Sequence, residues 1–164
     1  MKDLPNNTKL YGIMILYDMQ TDFFKRVLKG IEDKDLLKRL GTEANHSSWI
    51  AGSVVSGRYY LGKCFNLEVE SSTGKLFENN QGIIDNAIYP TLVEYENDWD
   101  KISPLLRDAL MLASAEKLNE KIEMPGMEMT LFDMIIFTSY REANCIGQIA
   151  LWRRLLGYKA MSYM

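Results

Sequence analysis

The sequence predicts an all-α fold: an up-and-down four-helix bundle with a long crossover between the second and third helices. Three observations carry this expectation. Apolar residues recur at helical spacing through four long segments. No segment holds the strict alternation of a half-buried strand for long, residues 63–70 being ambiguous. A polar run, residues 67–80, separates the second segment from the third and reads as a long surface connection that could border a pocket. With 164 residues the chain is read as one domain, 1–164.

The first helix follows from Leu10, Ile13, Tyr17, Phe24, Leu28 and Ile31, which share a stripe in which Thr21 is the polar member. Asn7 or Thr8 suits its N-cap and Gly30 its end. Residues 33–40 could add a short helix before Gly41. The second helix, about residues 45–62, puts His46, Trp49, Ser53, Gly57 and Tyr60 on one face, with small residues that let another helix or a ligand approach. Pro90, then Thr91 with Glu94 three residues on, starts the third helix with a capping box. Its stripe is Leu92, Tyr95, Trp99, Leu106, Leu110 and Ala113, and Pro104 predicts a kink or a restart capped by Ser103. Residues 114–128 are polar and should hold one helical turn and the breaker Pro125-Gly126. Thr130 with Asp133 caps the fourth helix, Arg153 and Arg154 suit its C-terminal dipole, and Gly157 ends it.

Composition removes several functions. A net charge of −3 speaks against sequence-independent nucleic-acid binding, which needs a clustered basic face. Cys64 and Cys145 form no zinc-type array, and a single His excludes any site that needs two. The apolar run at residues 12–17 stops at Asp18, too short to span a membrane, and no small-residue cleavage site of a secretory signal follows it. The expected setting is a reducing, bacterial cytoplasm.

The fourth helix carries the chemistry. At about 100° per residue, Leu131, Met134, Thr138, Arg141, Cys145, Ile149, Trp152 and Leu156 lie on one stripe, so Arg141 should point inward or into a cleft. A buried guanidinium needs an anion. That anion is either an internal carboxylate such as Asp18 or Glu96, the simpler account, or the carboxylate or phosphate of a ligand. Cys145 stands one turn on, and Gln148 extends the polar patch. A neighbouring guanidinium lowers a thiol pKa, which makes Cys145 a nucleophile candidate, although no His is placed as its base. His46 reads as a surface or boundary residue. Trp49, Tyr17 and the other aromatics could line a pocket, but at helical spacing they read first as core.

Residues 130–157, with Gly147-Gln148-Ile149 and Arg153-Arg154-Leu155-Leu156-Gly157, resemble the last helix of the DinB-like superfamily, whose pattern is H-E-x-x-H-x-G-Q-I followed by L-R-R-L-L-G. Residues 45–58, with Asn45, Trp49 and Gly52, resemble its second helix, N-x-x-x-W-x-x-G-H. The resemblance implies a bundle, commonly a homodimer, with a divalent metal on three His, and relatives that act as thiol-dependent S-transferases or isomerases. The matching positions here are Ser53, Arg141 and Cys145, so no metal and no cofactor is expected. Arg stays protonated and repels a divalent cation. The resulting expectation is a non-catalytic protein that binds a small anion or a partner through Arg141, Cys145, Ser53, Gln148, Trp49 and Tyr17. The alternative is an S-transferase-like enzyme.

Overall fold

The structure, a computed structural model, describes residues 4–124 and 126–164 and is mostly helical. Its long helices are α1 (Tyr11–Leu28), α3 (Ser47–Cys64), α4 (Leu92–Leu112) and α6 (Leu131–Leu155). Single turns form α2 (Asp33–Leu36) and α5 (Ala115–Leu118), and β1 (Lys121–Met124) pairs antiparallel with β2 (Met127–Thr130). No described helix is long and apolar enough to cross a membrane.

Local chemistry explains most boundaries. Thr91 with Glu94, and Thr130 with Asp133, form complete capping boxes that satisfy the first free N–H groups of α4 and α6. Asn7 caps a short 3-10 turn, Thr8–Leu10, that leads into α1. Gly30 and Gly157 take positive φ, 78° and 87°, after α1 and α6, as left-handed helix ends require.

Four expectations need correcting. The helix expected over residues 33–40 is one turn, Asp33–Leu36, and the chain turns left-handed beyond it at Leu40 and Gly41. α4 runs through Pro104 without a restart, and Ser103 caps nothing: its hydroxyl donates to the carbonyl of Trp99 inside the helix. Tyr60, expected inward, is exposed, while its neighbour Tyr59 is buried. The hairpin was legible only as four-residue alternations, Lys-Ile-Glu-Met and Met-Glu-Met-Thr, too short to outweigh the helical signal. Of the expected breaker, Gly126 has φ 78°, and Pro125 lies outside the described residues.

The long helices form a ring of contacts in which α1 and α3 each pack on both α4 and α6. Trp152 reaches the carbonyl of Asn45, and Arg141 reaches Ser53, so α3 and α6 run in opposite senses. Ser48 meets Tyr95 near the starts of α3 and α4, and Gly62 meets Ile102 further along both, so these two run the same way. The chain must therefore return roughly 27 Å, the length of an 18-residue helix, before α4 can begin. Residues 65–91 make that return, partly as a 3-10 segment, Gly74–Asn80. The core between the helices is one cluster that includes Phe24, Val55, Trp99, Leu106, Leu131 and Ile149, all at most 1% exposed.

Candidate functional site

The buried guanidinium at the centre of the molecule belongs to Arg58 of α3, which is 0% exposed. Its Nε and Nη2 donate to Oε1 and Oε2 of Glu142 on α6 at 2.8 and 2.9 Å, a two-pronged, charge-assisted pair. Nη1 donates to Thr21 Oγ1 of α1 at 2.8 Å and to Ser103 Oγ of α4 at 2.7 Å. The rings of Tyr17 and Trp99 lie 3.9 and 3.6 Å from the guanidinium carbon, close enough for strong cation–π attraction. All four long helices thus converge on one cation. Tyr17 donates to the Ser103 carbonyl at 2.8 Å, and burial pushes its hydroxyl pKa far above the ordinary tyrosine range.

Sequence reasoning missed this pair, although the signal was present. Leu131, Ile135, Thr138, Glu142, Cys145, Ile149 and Trp152 are all buried and follow alternating steps of four and three residues. Glu142 lies within about 30° of the centre of that face, whereas Arg141 lies about 70° away, at its edge. Arg58 likewise interrupts a buried line formed by Ala51, Val54 and Leu61. A charge on each of two apolar faces announced a buried pair.

Arg141 sits beside this centre, part-buried between α6 and α3. Its Nη2 donates to Ser53 Oγ. Gly57 and Thr138 border it: a Cβ added at Gly57 would lie 3.9 Å from Arg141 Nη1 and from Thr138 Cγ2. Neither expected internal partner, Asp18 or Glu96, forms an ion pair with Arg141. Asp18 pairs with Arg107 at 2.8 Å, Glu142 with Arg58, and no carboxylate of the described residues forms an ion pair with Arg141. The internal ion pair expected for Arg141 is therefore formed by Arg58.

Cys145 is buried one turn from Arg141. Desolvation raises its thiol pKa, outweighing the opposite pull of Arg141, and the nearby Glu142 raises it further. At neutral pH the group is a thiol, which is a poor nucleophile. Arg141 and Cys145 share a side of α6, as its periodicity predicts, and Arg141 reaches Ser53, the third position that the resemblance implies. The other proposed residues disperse. Tyr17 belongs to the Arg58 centre, and exposed Gln148 donates to Asn144 at 2.5 Å. Trp49 packs on Phe77 at 5.9 Å, and its buried Nε1 has no partner among the described residues.

His46 departs most from expectation, being 5% exposed rather than at the surface. Its Nδ1 accepts the Trp49 N–H at 3.0 Å and so caps α3, while Tyr89 meets the imidazole edge-on at 4.8 Å. Burial, assisted by Arg39, lowers its pKa. The small residues of α3 seat their neighbours closely: a Cβ at Gly52 would lie 2.4 Å from Phe77 of the crossover.

The donor set does not fit a metal centre. Among the described residues no group of three His, Cys, Asp or Glu side chains is placed to hold an ion. At the three positions in question stand a hydroxyl, a permanent cation and a protonated thiol. A cleft of about 260 Å³ opens elsewhere, between α1 and α4, lined by Tyr17, Thr21, Ser103, Pro104 and the Asp18–Arg107 pair. Compared with protein-family models and with curated proteins, the chain matches none of them.

Proposed function

We propose that this chain is a DinB-like four-helix bundle in which a metal centre has given way to an anion receptor, and that it binds a small anion, without turnover, at Arg141. One observation carries the reading: Arg141 is a part-buried guanidinium held by a neutral hydroxyl, and no described carboxylate pairs with it. Such a group has more donors than Ser53 can use, and a carboxylate or phosphate takes two of them side by side. Ser53 fixes the direction of the fork, and the absent side chain of Gly57 leaves room beside Nη1. Cys145 supplies a neutral wall rather than a nucleophile. The protein acts as a homodimer, as the resemblance implies, in the bacterial cytoplasm expected from its cysteine usage.

The test is thermal unfolding in phosphate, sulfate and acetate at constant ionic strength. At about 100 times Kd an anion should stabilise the fold by about 2.7 kcal/mol, roughly 5–10 °C for a chain of this size. Arg141→Gln should abolish that rise while leaving the anion-free Tm nearly unchanged. An equal rise in Arg141→Gln, or none in the parent protein, defeats the proposal.

A further inference from the structure

We propose that a second copy of this chain docks antiparallel on the outer face of α6, about a twofold axis at residues 143 and 144. The inference rests on the homodimer of the proposed function and gives it a face. It does not depend on anion binding.

The outer face of α6 is more apolar than a solvated helix face requires. Ile136, Tyr140 and Leu151 are 44%, 67% and 50% exposed and follow one another along it. Leu16 and Met19 of α1, 47% and 45% exposed, extend the apolar surface on the helix packed beside it. α6 is about 37 Å long and α1 about 27 Å, so at roughly 10 Å of width each they present a surface of roughly 600 Å². That is of the same order as the ~800 Å² each partner contributes to a stable interface.

The order of residues on this face singles out a second copy as the occupant. Reversed about its midpoint between Ala143 and Asn144, the stripe pairs its own members level by level. Asp133 meets Arg154, Ile136 meets Leu151, and Tyr140 meets Gly147; all six are exposed. Asp133 is held ionised by the Thr130 hydroxyl and N–H, so the outermost levels match opposite charges at both ends. The middle levels match apolar with apolar. The largest exposed ring lies opposite a glycine whose missing Cβ would meet nothing within 4 Å. An isologous interface needs this self-complementarity, and an unrelated partner would have no reason to match a palindrome. The antiparallel arrangement also sets the helix dipoles head to tail.

The experiment is sedimentation velocity of the full chain at micromolar concentrations, with three variants checked for parental helicity by circular dichroism. Gly147→Glu places a charged side chain in the seat of Tyr140, and Arg154→Glu opposes Asp133 with a like charge. Each should raise the dimer Kd at least roughly tenfold. Ala143→Cys, made with Cys64 and Cys145 replaced by Ala, should form an intermolecular disulfide on mild oxidation, because residues at the axis face their own copies. A dimer that survives both charge variants and leaves Ala143→Cys uncrosslinked overturns the assigned face but keeps the homodimer. A monomeric parent protein overturns both, including where a different partner covers the stripe.

Discussion

Replacing Glu142 by Gln removes the charge that pairs with Arg58 while keeping the side-chain shape. The side chains of Arg58 and Glu142 are 0% and 4% exposed, so water cannot take the place of the lost carboxylate. The guanidinium would keep its bonds to Thr21 and Ser103 and its two aromatic faces, but its full charge would stay buried against neutral groups. Breaking a buried pair from one side costs about 3–5 kcal/mol. For a chain of this length that corresponds to a fall in Tm on the order of 10 °C. Removing both charges is a different perturbation. In Arg58→Met with Glu142→Leu, the hydroxyls of Thr21 and Ser103 still donate to the carbonyls of Tyr17 and Trp99, so no donor is orphaned. The double variant should therefore lie within about 2 kcal/mol of the parent, well above the sum of the single losses. Urea unfolding of the four proteins measures this cycle. A loss below about 1 kcal/mol in Glu142→Gln, or a double variant as unstable as the sum of the singles, refutes the view that Arg58 and Glu142 act as one desolvated unit.

Three further outcomes are expected. His46 has a lowered folded pKa, so the unfolded chain binds its proton first; the stability it contributes is complete above the ordinary value of about 6.5 and is lost as pH falls below that. His46→Asn keeps a capping oxygen without the titration, and unfolding curves between about pH 6.5 and 5 should then lose part of their slope. An unchanged slope would show that the imidazole does not cap α3 in its neutral form. Gly52→Val should destabilise the fold by about 1–3 kcal/mol through collision with Phe77, and Phe77→Ala in the same chain should recover part of the loss, measured by urea unfolding. Cys145 should react with iodoacetamide at neutral pH far more slowly than in the unfolded chain, since it is buried and its pKa is raised. Rapid labelling of the folded protein would reopen the case for a nucleophile.

The sequence by itself determined the local structure and one side of the candidate site. Thr91 with Glu94, Thr130 with Asp133, and the terminal glycines are short-range signals, because a cap satisfies backbone groups three residues away. The stripe of α6 likewise brought Arg141 and Cys145 to one face, since helical spacing requires no knowledge of the neighbours, while Ser53 as their partner on α3 was implied only by the resemblance. The spacing around Glu142 and Arg58 carried a signal for the buried pair, but tertiary packing decided which cation would be buried. Arg141 and Glu142 are adjacent in sequence, and about 100° of helix rotation separates an edge position from the centre of the core. That centre is set by where α1, α3 and α4 press on α6, and it favoured the Glu142 carboxylate and drew in Arg58 from 84 positions away. His46 was decided in the same way: its place at the start of α3 was legible, but its burial was not, and the Tyr89 ring packed against it belongs to the crossover, which no helical period connects to it. Periodicity reports the faces of a helix, whereas desolvation depends on what covers them, and that covering is made by parts of the chain distant in sequence.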